Sequence, residues 1–166
     1  MKTLVEARDV TKTFVAEEDF LGRAIAKVHA VTDVSIVIRD RETLGLVGES
    51  GCGKSTLGRL LLRLDDVTSG SVLFDGEDVT RLAGGRLAPL RRAMQVVFQD
   101  PKSALDPRLS IAETLLEPIR VHGLATDAAD EVKRVNTLLE QVGLDPSFGT
   151  RLPLSLIHIS EPTRPY

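Results

Sequence analysis

Apolar and polar positions change period several times along the chain, and each change marks an element. Residues 4–10 alternate loosely and predict an opening strand. The polar, glycine-containing stretch 12–27 predicts a loop or hairpin excursion. Residues 34–38 (Val-Ser-Ile-Val-Ile) alternate as a half-buried strand does, and 39–42 form a polar turn after it. The short apolar run Thr43-Leu44-Gly45-Leu46-Val47 suits a buried strand. Glycine dominates 48–53. From Lys54 onward the period lengthens, with Leu57, Leu60, Leu61 and Leu64 at i, i+3, i+4 and i+7 of a helix. Thr68-Ser69-Gly70 breaks that helix. Residues 71–74 then read as a strand entering a tight turn at Asp75-Gly76. A further apolar strand is predicted at 94–98, and helices at 110–121 and 128–142. The last helix carries Val132, Val135, Leu139 and Val142 on one stripe, with Thr126 or Asp127 as its N-cap and Gly143 at its end.

This order predicts an α/β nucleotide-binding core over residues 1–99 and the start of a helical subdomain over 100–153. Composition agrees with a globular chain: 42% of the 166 residues are hydrophobic and 27% charged. No apolar run approaches the ~20 residues that a membrane span needs. The N-terminus lacks a signal-peptide core, and a single cysteine fits a reducing compartment. A cytoplasmic protein is expected, held to any membrane through a partner. The net charge of −3 argues against nucleic acid as ligand. Arg91-Arg92, with Arg86 nearby, reads as a solvated helix face. His29, His122 and His158 are too scattered for a metal site.

The strongest chemical signal is Gly48-Glu49-Ser50-Gly51-Cys52-Gly53-Lys54-Ser55, a full match to G-x-x-x-x-G-K-[ST] between an apolar run and an amphipathic helix. Gly48, Gly51 and Gly53, with Ser50 and Cys52 between them, let the backbone curl until successive N–H groups point into one concavity. The helix behind adds its positive dipole end. Such a loop holds a polyphosphate. Lys54 can reach the β- and γ-phosphates, the Ser55 hydroxyl can ligate Mg²⁺, and Thr56 can add a hydroxyl near the α-phosphate. This loop alone does not choose among kinases, GTPases and transport ATPases. No guanine-reading Asn-Lys-x-Asp is present.

Read together, the motifs resemble the nucleotide-binding domains of ABC transporters, in the oligopeptide and dipeptide importer branch. The resemblance covers about residues 4–153. It rests on the phrase from Thr43 to Thr56 and on four further segments. These are Asp9-Val10-Thr11-Lys12-Thr13-Phe14, Phe20-Leu21-Gly22-Arg23, Thr68-Ser69-Gly70 with Phe74-Asp75-Gly76-Glu77, and Val97-Phe98-Gln99-Asp100-Pro101 with Ala104-Leu105-Asp106-Pro107-Arg108. Lys102 departs from the aromatic frequent at its position. The resemblance implies a P-loop NTPase fold of ABC type: a partial RecA-like core, an antiparallel β part and the start of a helical subdomain. It implies ATP and Mg²⁺ as ligands. Phe14 would stack on adenine; a buried core aromatic is the other reading. Gln99 would contact Mg²⁺ and the attacking water, the other reading being a polar strand end. Residues 103–108 would lie near the surface that docks transmembrane permease subunits. A second ATP-binding subunit, identical or a sister, would complete a head-to-tail dimer at the cytoplasmic face of the inner membrane.

The family's signature motif Leu-Ser-Gly-Gly-Gln, its second acidic motif (Walker B) and its switch histidine have no match here. Residues 154–166 instead resemble the translation of a sequencing-library transposon adapter and are set aside from fold reasoning. A hydrolysis-deficient nucleotide binder is therefore expected from these 166 residues, and a transport ATPase from the family. The competing readings are a bare nucleotide-binding module and a soluble ABC ATPase of the DNA-repair type. Cys52 reads either as a small filler or as a thiol inside the binding loop. Alkylating it is expected to block nucleotide binding by steric clash; labelled protein that binds ATP unchanged would leave only the filler role.

Overall fold

The computed structural model describes residues 1–18, 24–99 and 105–153. The chain divides into two compact units, a first of Met1–Gln95 and a second beginning at Val96.

The first unit is built on a four-stranded antiparallel sheet in the order β2-β1-β3-β4. Strands β1 (Thr3–Glu18) and β2 (Ala24–Arg39) are each 16 residues long. Of the loop or hairpin excursion expected at 12–27, the described part is paired antiparallel strand, as the hairpin alternative has it. Thr13, Phe14, Val15, Val28 and His29 have the β-branched and aromatic character that a ladder favours over a coil. Polarity masked this, because both faces of the distal hairpin are open to solvent. The family-like segment at 20–23 lies outside the described residues. Strand β3 (Ser69–Phe74) pairs with the other edge of β1 and turns into β4 (Glu77–Asp78) through Asp75 and Gly76, both at positive φ (51° and 86°), as the two-residue turn requires.

Helix α1 (Lys54–Leu61) follows the glycine-rich loop. Its Leu57, Leu60 and Leu61 pack with Ala7 and Val10 of β1, Val31 of β2 and Val72 of β3. These are three of the four leucines of the expected 3.6-residue period; the helix ends at Leu61, and Leu64 lies beyond it. Arg63, just beyond the helix, is buried, and its guanidinium donates to the carbonyls of Val79 (2.8 Å) and Asp65 (3.1 Å) and pairs with Asp66 (2.9 Å). Those bonds satisfy a charge that would otherwise be costly to bury, and they fasten the end of α1 to the segment after β4. A short α2 (Ala88–Ala93) carries Arg91 and Arg92 on solvent, as expected of a hydrated face.

In the second unit, α3 (Ile111–Val121) begins with a capping box. The Ser110 hydroxyl accepts from the Glu113 amide, and the Glu113 carboxylate accepts from the Ser110 amide. The Ser110 hydroxyl also donates to the Glu113 carboxylate (2.7 Å), and that bond, with the one from the Ser110 amide, holds the carboxyl below its ordinary pKa. Helix α4 (Ala128–Gln141) is capped by Asp127 rather than Thr126. Ile111 and Ile119 meet Val135 and Leu139 in a small core. Only half of the expected α4 stripe is used: Val132 and Val142 are 59% and 70% exposed.

Two expected strands are absent. Residues 43–47 and 94–98 form no ladder with any described strand, and Val47 and Val97 are 99% and 96% exposed. Apolar runs of this kind suit strands buried on both faces, and that state needs hydrogen-bonded neighbours and covering layers. Neither run has a paired neighbour among the described residues, so both lie outside the sheet and largely in solvent, apart from Met94, which packs against the core of the first unit. Unpaired apolar segments of this type template association. Val47→Lys and Val97→Lys are expected to leave the melting temperature nearly unchanged, since no native packing is lost. They should also raise the concentration at which sedimentation velocity still shows a single slow species.

Candidate functional site

Residues 48–53 form an exposed loop ending at α1, and the structure brings every loop residue singled out above into one short arc. Gly53 is the N-cap of α1 at φ 93°, and its carbonyl accepts the first helical bond from Leu57 at 2.8 Å. Its α-carbon abuts β2 so closely that a Cβ would collide with the Ala30 carbonyl oxygen. Ala30 is the extra residue where pairing steps from Lys12↔Val31 to Thr13↔His29. A bulge interrupts the ladder and leaves its extra residue without a regular cross-strand partner. The start of α1 is thus seated on an irregularity in β2. Gly51 also has positive φ (82°), yet nothing lies within 4 Å of where its Cβ would stand.

Lys54 is the first residue of α1, and its ammonium turns back across the loop. It donates to the carbonyls of Gly48 (2.8 Å) and Glu49 (2.5 Å) and lies 3.4 Å from Cys52 Sγ. A Cβ at Gly48 would come within 2.8 Å of that sulfur. The lysine therefore holds the two ends of the arc together while carrying its charge to the mouth of the loop. Ser55 is exposed and Thr56 half-buried on the first turn. Amides at this helix end have no intrahelical acceptors, so the arc offers N–H donors and one cation to an anion. Among the described residues no group of three or more His, Cys, Asp or Glu could hold a metal ion.

Phe14 lies on β1 directly across from Val28, two residues along β2 from Ala30. It is 41% exposed and absent from the buried core, which removes the core-aromatic reading of this ring. The Lys12 ammonium stands over it at 4.9 Å from the ring centroid. Sequence reading passed over Lys12 and Ala30. The signal for Lys12 was its i, i+2 spacing from Phe14 on a strand; nothing in a lone alanine announces a bulge. Gln99 belongs to the second unit, where it is exposed at a bend after the extended run and not at a strand end.

Two cavities in the first unit bear on this arc. One, about 250 Å³, includes part of it: Cys52, Gly53 and Lys54 line it together with Ala30, Thr32 and the aliphatic Val31, Val34, Leu46, Val47 and Leu57. The other, about 540 Å³, surrounds Arg63, whose charge is committed to structural partners. The open arc is the candidate site.

The sequence pattern of the ABC transporter family matches residues 31–161. The chain is 44% identical over 151 residues to the glutathione import ATP-binding protein GsiA of Salmonella typhimurium (strain LT2), and 45% identical over 150 residues to that of Escherichia coli (strain K12). Each alignment covers 90% of this chain, which spans about a quarter (24%) of the relatives' length. Among solved structures, the fold is similar to a dimeric post-hydrolysis state of the ATP-binding cassette MJ0796 bound to ADP and Pi. There the TM-score is 0.72 at 27% identity, over 91% of this chain and 62% of the other. A second dimeric structure of MJ0796, described as a bacterial ABC transporter cassette, also gives 0.72 at 26% identity, over 92% of this chain and 62% of the other.

Gly53→Ala is expected to destabilise the first unit by roughly 2 kcal/mol or more, since it combines backbone strain with a collision. Gly51→Ala, which meets only the strain, should cost about 1 kcal/mol. Denaturant titration of both variants checks this, and equal costs would show that the β2 seat does not constrain the loop.

Proposed function

The chain belongs to the ABC transporter family, and on that premise we propose that it is the ATP-binding part of an importer ATPase. The uptake it serves is of peptides or small peptide-like solutes. The observation that carries this reading is the preformed loop from Gly48 to Ser55, seated on Ala30, with the Lys54 ammonium held at its mouth. Relatives at 44–45% identity, named glutathione import ATP-binding proteins, support the solute class.

In this reading the loop amides and the N-terminal end of α1 receive the phosphates. Lys54 exchanges the Gly48 and Glu49 carbonyls for β- and γ-phosphate oxygens, and neutral partners give way to charged ones. Thr56 adds a hydroxyl near the α-phosphate, and Phe14 offers its ring to adenine. Mg²⁺ fits the donor set: Ser55 supplies one hard oxygen, and such an ion takes most of its remaining ligands from phosphates and water, so no protein cage is needed. The ion would neutralise phosphate charge. Efficient hydrolysis also needs a carboxylate that polarises water, and the motif that supplies it has no match in these residues. The 166 residues therefore bind nucleotide without useful turnover. Turnover belongs to a dimer of ATP-binding subunits docked on membrane permease subunits at the cytoplasmic face. The dimer is supported by the similar cassettes, which are dimeric. No helix among the described residues is long and apolar enough to cross a membrane.

Equilibrium binding of ATP to the 166-residue chain tests the reading. Lys54→Ala should weaken ATP by about 10- to 100-fold, as loss of a charged hydrogen-bond donor does. Wild-type protein that binds no ATP, or a Lys54→Ala variant that binds it equally well, would end the proposal.

A further inference from the structure

Lys12 and Phe14 are two residues apart on β1 and so share a face of the strand. The lysine does two things at once. Its ammonium stands 4.9 Å from the centroid of the Phe14 ring, and it donates to the Asp66 carbonyl at 2.7 Å. Asp66 is in the segment that follows α1, the helix whose first residue is Lys54. That segment is tied to the same stretch of β1 by two more bonds, from the Thr68 amide to the Thr11 carbonyl (2.8 Å) and from the Thr13 amide to Thr68 Oγ1 (3.0 Å). The lysine therefore bridges the phenyl ring to the backbone that closes the phosphate-loop helix.

A ring as exposed as Phe14, with only Val28 across from it, has little packing to choose one rotamer. A cation over one face supplies what packing does not. It is attracted by the ring quadrupole, and its own position is fixed by the Asp66 carbonyl. With one face held, the opposite face is left for a planar ligand. Phe14 pairs with Val28, and Val28 is two residues from Ala30, or about 7 Å of strand. Ala30 abuts Gly53, so the ring is close enough to the loop for one nucleotide to span both.

We propose that Lys12 is a positioning residue for the nucleotide base: clamped to Asp66, it holds the Phe14 ring by one face and presents the other to adenine. This rests on the reading of Phe14 as the adenine platform. It also fixes a sign. If the base took the face that Lys12 covers, lysine and base would compete, and removing the lysine would tighten binding. If the lysine braces the ring from behind, removing it loosens binding.

The test compares ATP with inorganic tripolyphosphate, which has phosphates and no base, on the 166-residue chain. Lys12→Met should weaken ATP about three- to fivefold, the range of an exposed cation–π contact, and leave tripolyphosphate unchanged. Lys12→Arg, which keeps both the cation and the donor, should bind ATP nearly as the parent does. Phe14→Ala should weaken ATP alone, and adding Lys12→Met to it should do nothing further, because the lysine acts through the ring. Unchanged or tighter ATP binding by Lys12→Met overturns the positioning role while Phe14→Ala still shows the platform. Equal loss of both ligands makes Lys12 a scaffold tie and overturns it too. If Phe14→Ala is silent, the platform reading fails, and the proposal with it.

Discussion

The candidate site depends on one steric fact: an α-carbon without a side chain touches a carbonyl oxygen of a neighbouring strand. Gly53 can approach Ala30 because it has no Cβ and because φ of 93° is open to it. Ala30 is free to be approached because the β2 bulge takes it out of regular pairing. That contact sets where α1 begins. The first turn then carries Lys54, Ser55 and Thr56 to one end of the loop. The buried leucines of α1 hold the helix against β1 and β2, so the loop cannot drift without opening the core. Loop chemistry and sheet packing are therefore one constraint seen from two sides.

The parts of the fold legible in the sequence are those stabilised by near neighbours. The α1 period, the Asp75-Gly76 turn and the Asp127 and Ser110 caps are each closed by residues within four positions. The loop motif is local in the same sense, since eight consecutive residues contain its donors and its cation. Residues 43–47 and 94–98 are a different case. Their apolar composition is compatible with burial, yet a strand is a property of two partners, and composition names only one of them. In the distal hairpin, polarity left a loop and a hairpin both open, and long-range pairing between β1 and β2 decided for the hairpin.

Site residues divide along the same line. Lys54 and the loop glycines were readable as one arc because their positions are set within the loop. The reading of Phe14 was divided because exposure is a tertiary quantity, and its partner Lys12 was passed over because a side chain's ring contact is not written in residue type. Arg63 shows why charge alone would have misled. It is a buried arginine beside the larger cavity, and every bond it makes there is to this chain's own backbone or to Asp66.

The Lys54 arrangement has an energetic consequence for specificity. A lysine left in solvent would lose rotamer freedom on meeting a phosphate, a cost near the upper end of the side-chain scale. Here the ammonium is already fixed on Gly48 and Glu49, so part of that ordering cost falls on folding and not on binding. The loop carbonyls that hold it are neutral, and a phosphate oxygen competes with them as a charged acceptor, which is worth roughly twice as much per bond. An uncharged ligand cannot win that exchange. On the proposed reading the prearranged lysine would favour anions by competition with the loop's own backbone, and Phe14, braced by Lys12, would add a separate selection for a planar base. The two selections would act at opposite ends of one nucleotide, so that neither a free base nor a bare phosphate would satisfy both.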